Sequence, residues 1–259
     1  MEKLILMIES KQSTILTVCD LEHKIISDIP IMIPINLTRF TCIAQLPNYE
    51  LFCFGTEGIP SSGFACIIDL QNYSLKRRLT LGYPCYSSCA LYYDGFVYIF
   101  GGGNNTKGDL PNFYKFDLQN NRWIKRLSLP ISSHSCSSII FRSNILVSGF
   151  SHKHLYQYNM ELDSYSIAFS FESGNSWKIL LAENNRAYII ERLGRIYECG
   201  AENVYNWNDV GKSSMDWFLQ HYVTYYQNSA YIGINIGTSN LYYKFDFKTK
   251  KIQKFYFAS

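Results

Sequence analysis

Few residues in this 259-residue chain are both reactive in type and grouped closely enough to act together. Cys85 and Cys89 are the nearest pair among eight cysteines, but three residues separate them, which is not the Cys-x-x-Cys spacing of a redox or zinc pair. His152-Lys153-His154 is the one clustered imidazole pair, and beside Ser151 and Leu155 it reads as a solvated loop rather than a metal site. The glycine run Gly101-Gly102-Gly103 follows Phe100 and opens no helix, so it has no phosphate to cradle. No Gly-x-Ser-x-Gly elbow marks a nucleophile. The expectation is a chain with no catalytic residue, no metal and no cofactor.

The elements around these residues explain the shortage. Charged residues make up 17% of the chain and aromatics 16%, with 21 Tyr and 17 Phe. So much Tyr, Phe and Ile excludes disorder and favours strands over a helical bundle. A net charge of +3 is too small and too dispersed to recruit nucleic acid or an anionic membrane. The cysteines sit among Val, Phe, Ile and Ala, as in Phe52-Cys53-Phe54, and read as small apolar side chains in strands. Five apolar residues before Glu9 are too few for a signal peptide, and no stretch reaches the roughly 18 apolar residues of a membrane span. A cytoplasmic location is expected.

A repeat organises the whole chain. Asp20, Asp69, Asp117 and Asp246 each sit between two apolar residues and precede a polar turn, with weaker copies at Asn159 and Glu198. These six anchors recur about every 45 residues, the period of a four-stranded unit. Each carboxylate at a strand end is placed to accept N–H groups of its turn, a structural role. The implied units span about 1–34, 35–82, 83–131, 132–174, 175–216 and 217–259.

In the clearest unit, strands over 89–93, 96–100, 113–116 and 123–127 are separated by the hairpin turn Asp94-Gly95, the Gly101-Gly102-Gly103 run and the turn after Asp117. The Gly pair Gly101-Gly102, the aromatic Phe116 before Asp117, and Trp123 seven positions after Phe116 resemble a kelch repeat. The resemblance is specific for this unit. Elsewhere the Gly pair decays to Gly55, Gly149 and Gly233, and Leu75, Tyr165, Tyr205 and Ile252 stand in for the Trp.

The resemblance implies an all-β, six-bladed kelch-type propeller. Units with two apolar faces also reach that architecture by stacking radially, which explains the even spacing better than a pair of β-sandwiches. The first unit has room for only three strands, so its blade is expected to be three-stranded.

Kelch propellers often serve as scaffolds or substrate-recognition modules, so the resemblance implies a non-catalytic module that binds a protein partner. In a four-stranded blade, the loops from second to third strand and from blade to blade share one face. They carry Arg39, Tyr83, Tyr86, Lys107, His134, Arg192 and Arg195, with Trp177, Trp217 and Phe218, residue types rich in binding hot spots. Trp177 and Trp217 are expected to pack between blades. Lys248 and Lys250 mark the opposite face. The alternative is a kelch-like carbohydrate-active enzyme, such as a sugar isomerase or mutarotase. That reading needs charged side chains at the channel, where the first strands offer Thr41, Ser88, Ser137 and Thr224.

Overall fold

The computed structural model describes residues 3–7, 15–31, 41–55, 63–81, 85, 87–104, 107–150, 152–172, 177–192, 194–200, 202–212, 215, 220–236 and 239–256. Its regular elements are all strands. The first unit forms a three-stranded sheet of β1 (Lys3–Met7), β2 (Ile15–Asp20) and β3 (Ile25–Pro30). Blade 1 holds β4 (Cys42–Leu46), β5 (Glu50–Phe54), β6 (Gly63–Asp69) and β7 (Ser74–Leu81). Blade 2 holds β8 (Cys89–Tyr93), β9 (Phe96–Phe100), β12 (Phe113–Asp117) and β13 (Arg122–Lys125). Its second loop folds into a small hairpin of β10 (Gly103–Asn104) and β11 (Gly108–Asp109). Blade 3 holds β14 (Ser137–Phe141), β15 (Asn144–Ser148), β16 (His154–Asn159) and β17 (Ser164–Ser170). Blade 4 holds β18 (Lys178–Glu183), β19 (Arg186–Glu191), β20 (Arg195–Cys199) and β21 (Trp207–Lys212). Blade 5 holds β22 (Gln220–Tyr226), β23 (Ser229–Ile236), β24 (Ser239–Asp246) and β25 (Lys251–Lys254).

The architecture is a β-propeller of antiparallel meanders, with five four-stranded blades where six blades are expected from the repeat. The difference lies in the first unit. Its Asp20 ends β2, just as Asp69, Asp117 and Asp246 end the third strands of their blades. β1 to β3 therefore correspond to second, third and fourth strands, and the described residues supply no inner one.

The Asp anchors act as the repeat implies. Asp20 Oδ1 accepts the N–H groups of Glu22 and His23 at 3.0 and 3.1 Å, and Asp117 Oδ1 those of Gln119 and Asn120 at 3.1 and 2.9 Å. Asp69, Asn159 and Asp246 cap their turns in the same way. Four residues after each anchor the backbone turns left-handed, at Lys24, Tyr73, Asn121, Asp163 and Lys250. Blade 4 departs from the pattern. Its turn is longer, Asn203 caps it through the Tyr205 N–H, and Trp207 rather than Tyr205 fills the fourth-strand aromatic position. Trp207 packs on Phe169 of the preceding blade at 5.9 Å, much as Trp123 reaches back to Phe54 at 6.0 Å.

The core lies between sheets. Phe116 and Trp123 join Phe52 and Phe54 between blades 1 and 2, and Ile179 and Tyr188 join Ile232 and Phe245 between blades 4 and 5. The three-stranded sheet packs on both ends of this series. Leu16 and Val18 bury against Leu51 and Cys66 of blade 1, and Cys19 and Leu21 against Tyr222 and Tyr231 of blade 5. All eight cysteines are free thiols, seven of them buried in these cores, and burial pushes Cys19 and Cys85 up to about 12.

The glycine pair has a visible reason. Gly101 and Gly102 take φ of 63° and 105°, and the Ser133 carbonyl of the next inter-blade loop accepts the Gly102 N–H at 2.8 Å. A Cβ on Gly101 would lie 2.5 Å from that carbonyl and 2.6 Å from Cys136 Sγ. Gly149 of blade 3 repeats the constraint, since its Cβ would collide with Ser133 Oγ. Gly101→Val or Gly102→Val should destabilise the fold by about 1–3 kcal/mol or prevent folding. At Gly108 a Cβ meets nothing within 4 Å, so Gly108→Ala should cost only its backbone strain. Thermal melting of the three variants checks this, and an unchanged melting temperature for the Val variants would show an ordinary loop.

Candidate functional site

The loops over blades 2, 3 and 4 are held by hydrogen bonds both within blades and between them. Ser135 N–H donates to the Ser87 carbonyl at 2.8 Å, and Phe150 N–H to the His134 carbonyl at 3.3 Å. Arg192 N–H donates to the Trp177 carbonyl at 3.0 Å, and Lys178 Nζ to the His152 carbonyl at 3.0 Å. The face is thus a braced platform rather than a set of independent loops.

A ladder of rings and charges runs along it. Asp109, at the end of the β10–β11 hairpin, meets His134 Nδ1 at 2.9 Å. The His134 ring lies 5.4 Å from Phe150, Phe150 lies 4.5 Å from Trp177, and the Arg192 guanidinium covers Trp177 at 5.1 Å. Trp177 is buried, consistent with packing between blades, while His134 and Arg192 stay partly exposed at the two ends. Nearby, Arg195 pairs with Glu172 at 2.7 Å, and this pair is open to solvent, so its strength is screened. Lys107 is exposed on the loop of the β10–β11 hairpin. Of the expected binding residues, the structure brings His134 and Arg192 into one ladder, with Arg195 on the same blade and Lys107 beside it. Arg39, Tyr83, Tyr86, Trp217 and Phe218 lie outside the described residues.

Beneath the ladder lies a buried polar layer. His152, expected on a solvated loop, is fully buried. Its Nδ1 accepts the Gly149 N–H at 3.0 Å, so its Nε2 carries the proton and donates to the Ile131 carbonyl at 2.9 Å. Burial holds this imidazole down to about 4, with the neighbouring Lys178 adding to the effect. Lys178, 2% exposed, is itself pulled down to about 8 by burial, against the opposing pull of Glu191, its cross-strand neighbour. Burial raises the Glu191 carboxyl, which accepts the Tyr197 hydroxyl at 3.3 Å. His154 turns instead to Ser170 Oγ at 3.0 Å. Among the described residues no group of three or more His, Cys, Asp or Glu side chains could hold a metal ion.

On the opposite face, one turn of blade 5 is tied down by charge. Lys250 Nζ reaches Tyr188 Oη at 2.5 Å and Glu198 Oε1 at 2.6 Å, joining blade 5 to blade 4. Lys250 is therefore a structural cation, whereas Lys248 is exposed.

The inner strands supply a further set of cross-blade bonds. Ser137 Oγ accepts the Leu180 N–H at 3.0 Å and hydrogen-bonds His221 Nε2 at 3.2 Å. Burial also lowers His221 to about 4. Sequence reasoning missed His221 because nothing in the alternation of β22 shows which of its faces meets the axis.

The chain matches no protein-family model and no curated protein. Its fold is that of a β-propeller, and the kelch likeness rests on the repeat motif, which is most complete in blade 2.

The imidazoles of buried His152 and partly buried His221 set an acid dependence. Each is neutral in the folded chain down to about pH 4, but titrates near 6.5 once unfolded. Between those values the unfolded chain binds more protons, so stability is complete above about pH 6.5 and falls as the pH drops towards 4. Each should contribute a loss of roughly 2 kcal/mol between pH 7.5 and pH 5. Urea unfolding of wild type and His152→Gln at both pH values checks it: the variant should lose about 2 kcal/mol less, and an equal loss would refute the assignment.

Proposed function

We propose that the protein is a non-catalytic kelch-type interaction module that binds a protein partner through the loop face of blades 2 to 4. The three-stranded sheet takes the sixth blade position in this reading, supported by its packing against both blade 1 and blade 5. One observation carries the functional reading: the His134–Phe150–Trp177–Arg192 ladder fixes a cation and an imidazole on a braced surface. A stacked guanidinium has already lost much of its rotamer freedom, so binding through it costs less ordering entropy. Tryptophan and arginine are also the side chains on which interfaces most depend.

Replacing Arg192 and Arg195 together with Ala should reduce partner capture at least fivefold in quantitative pull-down from cell extract. The melting temperature should shift by no more than a degree or two, because both side chains are partly exposed. The matched control is Lys24→Ala with Lys248→Ala, two exposed cations on turns of the opposite face. That control should leave capture intact. Equal losses from both pairs, or none from either, would overturn the assignment of this face.

A further inference from the structure

An axial cavity of about 430 Å³ lies between the five inner strands β4, β8, β14, β18 and β22. That volume falls within the range of small-molecule sites. Its lining is mixed. Ser137 and His221 stand near the starts of their strands, and Gln45 and Thr224 lie further along theirs. Ser138, Tyr92 and Tyr225 line it as well, together with aliphatic residues such as Ala90, Leu91 and Ile139. No Asp, Glu, Lys or Arg is among the described residues that line it.

The arrangement sorts ligands by charge. An ion entering this space gives up its hydration and meets no counter-charge among the described lining residues, a large penalty. A neutral molecule with an apolar body and one hydroxyl loses little, because the aliphatic walls bury its body. Its hydroxyl can join the Ser137 Oγ–His221 Nε2 pair, two polar atoms already held 3.2 Å apart. Those polar atoms are preorganised: Ser137 Oγ is anchored by the Leu180 N–H from the neighbouring blade. Tyr222, on the same strand as His221, is tied by its hydroxyl to the Thr41 carbonyl at 3.0 Å, which fixes β22 against blade 1. The site is therefore built on strands rather than loops.

We propose that this axial cavity binds small uncharged molecules that carry a hydroxyl group on an apolar body. The cavity is distinct from the loop face, so it stands or falls independently of the partner-binding reading.

Three probes of one shape and different charge test it: benzyl alcohol, benzoate and benzylammonium, titrated at neutral pH by ligand-observed NMR. Benzyl alcohol should bind in the millimolar range and at least tenfold more tightly than either ion. His221→Phe should weaken benzyl alcohol at least threefold. Ala90→Trp should fill the cavity and abolish binding. Because a core Trp can prevent folding, Gln45→Trp supplies an independent block from an exposed position on the cavity lining. No binding of benzyl alcohol, equal binding of the two ions, or full binding by a blocked variant that melts like wild type would overturn the proposal.

Discussion

Every four-stranded sheet in this chain carries apolar side chains on both of its faces, and the rest of the structure follows from that constraint. In β9 the residues Val97, Tyr98, Ile99 and Phe100 are buried in succession, and in β19 so are Ala187, Tyr188, Ile189 and Ile190. Such a strand leaves no side for water, so each sheet needs a neighbour on either side. Radial stacking meets that need with little exposed edge. The three-stranded sheet, set against both blade 1 and blade 5, covers the two faces that a linear series would leave bare.

Close stacking then dictates the loops. Where blades converge, a loop backbone must cross a strand end; Gly101 leaves the Ser133 carbonyl room to do so, and the Gly102 N–H donates to it. The same crowding buries His152 and Lys178 beneath the platform and obliges their polar atoms to bond across blades. A face braced in this way holds Arg192 over Trp177 without help from a ligand. Packing between blades and the exposed ring-and-charge ladder are here two consequences of one geometry.

The sequence made the repeat legible because its anchors act locally. An Asp that caps its own turn needs no distant partner, so its spacing alone reports the period. The inner hairpins were harder to read. Asp94-Gly95 is an obvious turn, but Asn48-Tyr49, Arg142-Ser143, Asn184-Asn185 and Gln227-Asn228 adopt the same left-handed pair of conformations. Asparagine tolerates that conformation, but Tyr49, Arg142, Ser143 and Gln227 do not favour it, and strand pairing imposes the twist on them. Trp207 escaped notice because the longer turn of blade 4 moves it away from the expected spacing. His152 was misread for a related reason: polar residues on a loop suggest solvent, and only the neighbouring blade buries them. The blade count followed a period that marks third strands, although the length of the first unit already left room for only three strands, as the sheet of β1 to β3 has.

The role of the three-stranded sheet as the element that completes the ring is tested most directly by removing it. Deleting residues 1–40 exposes Leu51 and Cys66 on blade 1 and Tyr222 and Tyr231 on blade 5, which the sheet covers. Calorimetry of the truncated chain should then show a clearly lowered melting temperature or a loss of the single cooperative transition. A truncated chain that melts in one transition at the temperature of the full chain would contradict the account, because five blades would then bury their faces without it.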